Sequence, residues 1–285
     1  MKGEPILYKR VLITGGCGSL GRRLVTEFLK PKYHIETVVV FDNNENSMAN
    51  LRMKLKDHRL RWFLGNIRDS YRIDRAMENV DIVVHCAALK HVDLGDYNPF
   101  EQIKTNVIGT QNVIDSALKN GVQKVLTISS DKAVESCSTY GFCKALGERL
   151  TVNANNYKGD KETILSVARP PNYLNSDGSV FEIWDYQKNH GLPITVTDEN
   201  MYRFFMSFDD IISFIIKTLS LMEGGEVFVP ADCERVSILE LAQTYGSNIV
   251  FTGLRPGEKL EEVLFTKEEM KKAKLVDGVW VIKDQ

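Results

Sequence analysis

The run Val11-Leu12-Ile13-Thr14-Gly15-Gly16-Cys17-Gly18-Ser19-Leu20-Gly21 sets an apolar strand directly before glycines in GxxGxxG spacing, and Arg22 to Leu29 continues with helical periodicity. Glycine is required where a strand turns sharply into a helix, where backbone must approach a bound group, and where helix and strand pack at short range. The free N–H groups at the start of such a helix then face an anion. The turn therefore reads as the seat of a dinucleotide pyrophosphate, with Gly15, Gly18 and Gly21 as its glycines and Ser19 and Leu20 opening the helix. Asp42 ends the second apolar strand, about 20 residues further on, where a carboxylate accepts hydrogen bonds from the adenosine ribose and repels a 2′-phosphate. NAD is the expected cofactor, with NADP the alternative because Arg22 and Arg23 follow the glycines.

From Arg10 to about Lys132, short apolar runs (Val11 to Thr14, Thr37 to Phe41, Asp81 to His85, Lys124 to Ser129) alternate with amphipathic helical stretches. Nearly continuous apolar strands joined by helices describe a parallel sheet covered on both faces, the α/β doubly wound class. Beyond Arg169 the alternation weakens, and Pro170, Pro171, Gly178, Gly191 and Pro193 punctuate short extended segments such as Ile194 to Thr197. The chain thus divides into residues 1–168, the dinucleotide-binding part, and residues 169–285, a smaller C-terminal substrate-binding lobe packed on it. A formal charge of -2 offers no basic excess for nucleic acid or an anionic membrane. No apolar run approaches the roughly 20 residues of a spanning helix. The N-terminus lacks an apolar secretory segment. A small-molecule enzyme of the cytoplasm is expected. Five cysteines without CxxC pairing point to reduced thiols and to no metal site.

Tyr140-Gly-Phe-Cys-Lys144 puts a phenol and an ammonium one helical turn apart on one face, where the cation is expected to draw the tyrosine toward phenolate and make it a base. The strand Val125 to Ser129 feeds Ser130 just before it. With the glycine turn, Ser130 and the Tyr140/Lys144 pair, the chain resembles the extended short-chain dehydrogenase/reductase family over nearly its whole length, which implies a Rossmann sheet. Ala87-Ala88-Leu89-Lys90-His91-Val92, Asn98-Pro99 with Glu101, and Thr105-Asn106-Val107-Ile108-Gly109-Thr110 are similar to its nucleotide-sugar members. Within them, Ser129-Ser130-Asp131-Lys132-Ala133-Val134 followed by Thr139-Tyr140-Gly141-Phe142-Cys143-Lys144 looks like the 4,6-dehydratases. Lys132 resembles the UDP-N-acetylglucosamine enzymes, and Tyr140 the short, soluble, C5-inverting group.

That resemblance implies a lyase. Tyr140 takes the proton of the sugar 4-hydroxyl as C4 is oxidised, Lys132 removes the C5 proton provided burial or nearby cations depress it, and Asp131 protonates the departing 6-hydroxyl. Ser130 is then the hydrogen-bond donor to the 4-oxygen, and Lys144 also holds the nicotinamide ribose. Cofactor contacts are implied at Gly15, Gly18, Ser19, Leu20, Gly21, Asp42, Asn66, Ile67, Ala87, Ala88, Lys90, Asn106, Tyr140 and Lys144. UDP-sugar contacts are implied at Lys90, His91, Asn172, Val180, Thr195, Thr197, Arg203, Arg255 and Glu258. A homo-oligomer, dimer or larger, is expected through helices around Phe100 to Leu118 and Tyr140 to Asn155.

Three positions depart from the family pattern. Arg169-Pro170-Pro171-Asn172-Tyr173 replaces RYGNV, removing two N–H donors; Asp177 replaces an arginine and brings negative charge toward an anionic ligand; Asn66 replaces an aspartate. The alternatives to dehydration are a UDP-hexose 4-epimerase or related nucleotide-sugar reductase, and, with the altered segment in view, a non-catalytic dinucleotide-binding protein.

Overall fold

The structure, a computed structural model, describes residues 8–174 and 176–283. The first half supplies strands β1 (Arg10–Thr14), β2 (Thr37–Asp42), β3 (Leu60–Leu64), β4 (Ile82–His85), β5 (Lys124–Ile128) and β6 (Ile164–Ala168). Between them run helices α1 (Ser19–Phe28), α2 (Glu45–Lys54), α3 (Ser70–Ala76), α4 (Val92–Tyr97), α5 (Pro99–Ile103), α6 (Gly109–Asn120) and α7 (Thr139–Tyr157). The second half adds β7 (Asn172–Tyr173), α8 (Val180–Asn189), β8 (Ile194–Val196), β9 (Tyr202–Met206), α9 (Phe208–Leu221), β10 (Glu226–Pro230), β11 (Glu234–Ser237), β12 (Ile249–Phe251), β13 (Lys274–Val276) and β14 (Val279–Lys283).

One nine-stranded sheet runs β13-β14-β10-β6-β5-β4-β1-β2-β3. Its strands from β3 to β10 are parallel, and β14 and β13 close that edge antiparallel. This is the doubly wound Rossmann arrangement. Period-two alternation explains both covers: Val11 and Ile13 point into a core with Leu24 and Phe28 of α1 and Ile211 and Ile215 of α9. Leu12 points the other way, to Ile73 of α3 and Val113, Ile114 and Ala117 of α6. The chain beyond 168 does not leave the sheet for good, because α9 covers one face and β10, β14 and β13 extend the edge. The rest of that half has its own core of Phe181, Trp184, Ile194, Val196, Met201 and Phe205, built on the small sheets β11-β9-β7 and β12-β8.

Strand order reverses between β1 and β4, so the loops after these two strands diverge and leave a crevice at their C-terminal ends. A buried histidine ties the strands together there. Thr110 Oγ1 donates to the Asn106 carbonyl at 2.8 Å, so it must accept from His85 Nε2 at 3.0 Å. Nδ1 is then the acceptor for Thr14 Oγ1 at 2.7 Å, and Thr14 in turn accepts from the Ala87 N–H at 3.2 Å. Burial, and then the Lys144 charge, push His85 down to about 3.

The unfolded histidine titrates near 6.5, so between these values the unfolded chain binds the extra proton and stability falls as pH falls. Replacing His85 by leucine should cost about 1–3 kcal/mol in urea unfolding near pH 7, through the partners it leaves unpaired. It should also flatten the stability loss between about pH 6.5 and pH 4; an unchanged slope would show that His85 is not held neutral.

Candidate active site

A cavity of about 840 Å³ extends from the glycine turn across the ends of the central strands to the C-terminal lobe. Its tightest point is backbone on backbone. Gly15 has φ +64°, and a Cβ there would lie 2.8 Å from the Ala87 backbone; a Cβ on Gly21 would lie 2.1 Å from the Gly15 carbonyl oxygen. Gly18 differs. A Cβ there would meet only the Gly15 carbonyl oxygen at 3.4 Å, so glycine at 18 keeps the entrance of α1 open as a cradle rather than satisfying packing. This cradle at a helix N-terminus fits a pyrophosphate. Asp42 is buried beside it, Oδ2 accepting from the Cys17 N–H and Oδ1 from the Asn44 N–H, both at 2.9 Å. Cys17, next to that carboxylate and buried, is pushed up to about 12 and is no nucleophile.

Ser19, Leu20, Asn66, Ile67, Ala87, Ala88, Lys90 and His91 all line the same cavity. Asn106 does not. It is buried and clamps Leu89 from both sides, Oδ1 accepting the Leu89 N–H and Nδ2 donating to the Leu89 carbonyl at 2.8 Å each. Its geometry shapes the loop after β4 instead of reaching into the cavity.

Helix α7 delivers Tyr140 and Lys144 to the cavity, and Gly141 lets the helix start lie on the loop before it, where a Cβ would stand 2.4 Å from the Lys132 carbonyl oxygen. Ser138 caps the helix, accepting the Gly141 N–H at 3.1 Å. Burial lowers Lys144 to about 8, and its ammonium donates to the Ile128 carbonyl at 2.8 Å. The expected pull of Lys144 on the phenol is not what this arrangement gives. Lys144 Nζ is 5.9 Å from the Tyr140 ring centroid, and Tyr140 is pushed up, first by burial and then by the Asp131 carboxylate, against a smaller lowering by Ser130.

Ser130 and Lys132 reach the cavity wall, whereas Asp131 is fully buried behind it. Asp131 Oδ1 accepts from the Ser130 hydroxyl at 2.8 Å and from Lys132 Nζ at 3.1 Å, and Oδ2 accepts from Asn172 Nδ2 at 3.3 Å. The Pro170 carbonyl fixes this turn by accepting the Asp131 N–H at 3.3 Å. The neighbours of Lys132 Nζ are Asp131, Asn172 at 3.1 Å and Glu262 at 3.9 Å, so it lies against carboxylates rather than the expected cations. Glu262 went unread in the sequence; its signal was its place in Arg255 to Glu262, four residues past Glu258.

In the C-terminal lobe, Asn172, Val180, Thr195, Thr197, Arg203, Arg255 and Glu258 all border the cavity. Arg203 is nevertheless largely committed, donating to the carbonyls of Tyr202, Leu260 and Lys259 at 2.8–2.9 Å. Asp177 does not present free negative charge to a ligand. It takes two hydrogen bonds from Arg22, at 2.6 and 2.8 Å, its N–H donates to the Ser19 hydroxyl at 2.9 Å, and Lys90 donates to its carbonyl. Arg169 turns away from the cavity into a buried pair with Glu148 and Glu269.

Residues 11–284 match the family described as polysaccharide biosynthesis protein. The chain belongs to this family. An uncharacterized membrane protein of Methanocaldococcus jannaschii is 43% identical, over 96% of this chain and 85% of its own. A UDP-N-acetylglucosamine 4,6-dehydratase (inverting) of Campylobacter jejuni is 38% identical over 92% of this chain and 78% of the relative. A UDP-glucose 4-epimerase of Rickettsia prowazekii is 36% identical over 96% and 82%. The crystal structure of Pen from Bacillus thuringiensis superimposes with TM-score 0.93 at 34% identity, over 98% of this chain and 90% of that one. Among the described residues no helix is long and apolar enough to cross a membrane.

The glycines separate cradle from packing. Gly18→Ala should leave thermal unfolding within about 1 kcal/mol of the parent while weakening dinucleotide binding by tenfold or more in a fluorescence titration. Gly21→Ala should lower stability itself by about 3 kcal/mol, because backbone cannot yield. Equal effects of the two on stability would contradict this division.

Proposed function

We propose that the chain is a UDP-N-acetylglucosamine 4,6-dehydratase that inverts C5, a lyase with NAD as a resident cofactor. The observation that carries the reading is the Asp131/Lys132 contact at 3.1 Å, set against the wall of the cavity that Tyr140, Lys144 and the glycine turn also line. A redox step at C4 needs the tyrosine alone, whereas elimination across C5 and C6 needs an acid and a base of its own. The Campylobacter relative supports this substrate and outcome. In the division of labour proposed here, residues 1–168 hold the cofactor and catalytic groups, and the part of 169–285 around Thr195, Arg203, Arg255 and Glu258 grips the UDP moiety.

Gly18, the α1 N-terminus, Asp42, Asn66 and Lys144 would hold NAD, with the buried Asp42 carboxylate favouring it over NADP. Bound NAD supplies a store for the hydrogen of C4 and, when oxidised, positive charge that counters the upward push on Tyr140. Tyr140 takes the 4-hydroxyl proton while the Ser130 hydroxyl, turned from Asp131, donates to the 4-oxygen. The resulting ketone acidifies the C5 hydrogen. Lys132, as the neutral amine, accepts that proton; the C6–O bond breaks, and the hydroxyl leaves as water with a proton from Asp131. Afterwards Lys132 is an ammonium and Asp131 a carboxylate, and one proton passed across their contact resets the pair. The hydrogen taken from C4 would return to C6 and a solvent-derived proton would reach C5 from the opposite face, giving the 4-keto sugar inverted at C5, while the proton held by Tyr140 passes to solvent. Asp131 must swing from behind the wall to reach O6, and Lys132 holds the place it would enter.

Incubation with UDP-N-acetylglucosamine should therefore release water from the sugar, seen by mass spectrometry, with solvent deuterium at C5. Lys132→Ala and Asp131→Asn should abolish water loss, by at least about a thousandfold, with dinucleotide still bound. The Rickettsia relative favours a second reading, 4-epimerisation; an unchanged mass with an inverted C4 would select it. Cofactor binding without turnover on any UDP-sugar would select a non-catalytic role.

The proposal includes a homodimer in the cytoplasm. All five cysteines are free, as suits a reducing compartment. Leu94, Tyr97 and Phe100 on α4 and α5, with Phe142 and Leu146 on α7, are 47–86% exposed on adjoining helices, a face suited to the same face of a second copy. Light scattering should give twice the 32.3 kDa chain mass, and Phe100→Glu with Phe142→Glu should give the monomer; a monomeric parent would refute the dimer.

A further inference from the structure

Lys132 is held from a distant part of the chain as well as by its neighbour. Glu262 Oε1 lies 3.9 Å from Lys132 Nζ, and its Oε2 lies 2.8 Å from Lys259 Nζ. The Glu262 side chain is only 4% exposed. Lys259 Nζ also donates to the carbonyl of Val134, two residues beyond Lys132, at 2.8 Å. Arg203 pins this segment through the carbonyls of Lys259 and Leu260. A buried carboxylate persists only when paired, and here Lys259 is its close ion-pair partner while Lys132, the base of the reaction proposed above, faces it at 3.9 Å, beyond hydrogen-bond reach.

We propose that Glu262 is a positioning residue for the elimination step, anchoring Lys132 at the cavity wall while Lys259 offsets the charge that Glu262 brings. The proposal rests on the dehydratase reading. Asp131, Lys132, Glu262 and Lys259 together carry no net charge, and that balance lets one proton pass between Lys132 and Asp131. Glu262 places a negative charge on one side of Lys132, and Lys259 sets a positive charge behind it. Of the other titratable groups near Asp131, burial raises Tyr173 and Cys233, the last to about 11, so both stay neutral over the working range, and Tyr140, raised by burial and then by Asp131, is the base that acts in the earlier step at C4. Two opposite charges that can be removed one at a time therefore flank the base.

The test is the pH profile of deuterium entry at C5, measured with cofactor-loaded enzyme and UDP-N-acetylglucosamine in deuterated buffer. Glu262→Gln removes a negative charge beside the ammonium and should move the acidic limb down by about one pH unit. Lys259→Met removes a positive one and should move it up by a similar amount. KM should change less than kcat in both. Opposite displacements are a signature that loss of packing does not produce. Should Glu262→Gln fail to retain cofactor or to unfold at the parental temperature, the sign of the Lys259→Met shift decides. Unmoved limbs, or loss of rate without displacement, in samples that retain cofactor would overturn the role of Glu262. A parent that releases no water would instead overturn the dehydratase reading on which it rests.

Discussion

At the centre of the molecule, backbone meets backbone with no room for a side chain. Gly15 lies against Ala87, and Gly21 against the Gly15 carbonyl, at the point where strand order reverses. That approach lets α1 start directly over the ends of the strands, with its free N–H groups facing the crevice. It also fixes the loop after β4, which Thr14, His85 and Asn106 hold through hydrogen bonds whose proton positions admit one arrangement. The glycine turn and the loop at 87–91 are thus one packed unit.

Around that unit the site works by opposed charges rather than by one strong perturbation. Burial pushes Lys144 down and Tyr140 up, and the Asp131 carboxylate adds to the second effect. In the proposed reaction, the positive charge of the oxidised cofactor would offset this push on Tyr140. Asp131 and Lys132, a few residues away, form a hydrogen-bonded acid and amine, the pair proposed for elimination. Asn172, supplied by the altered Arg169 to Tyr173 segment, contacts both, its Oδ1 accepting from Lys132 and its Nδ2 donating to Asp131. The two prolines therefore accompany an ordered turn, in which the Pro170 carbonyl holds the Asp131 N–H, rather than a broken pocket.

The parts of this account that depend on local sequence were legible in it. Continuous apolar strands disclosed the parallel sheet, and glycine spacing disclosed the close-packed turn into α1. Edge strand β3 was harder to see: Arg61 interrupts its apolar run and one face is partly exposed, so the signal of a buried strand is absent. Long-range pairing was not legible at all. Asp177 reads as misplaced negative charge until Arg22, 155 residues away, is seen to neutralise it. Arg203 reads as a free phosphate grip until its donors are found on carbonyls more than 50 residues further on. Asn106 and Glu262 act on other residues, and spacing along a chain carries no mark of that.

In the proposed reaction, one cavity takes hydrogen from C4 and restores it to C6 of the same sugar after water has left. UDP-N-acetylglucosamine carrying deuterium at C4 tests it directly, with the product examined by NMR after a single turnover. The account predicts that deuterium is found at C6 of a 4-keto product that has lost water. Deuterium back at C4 in an epimerised sugar, or none in the product, would contradict it.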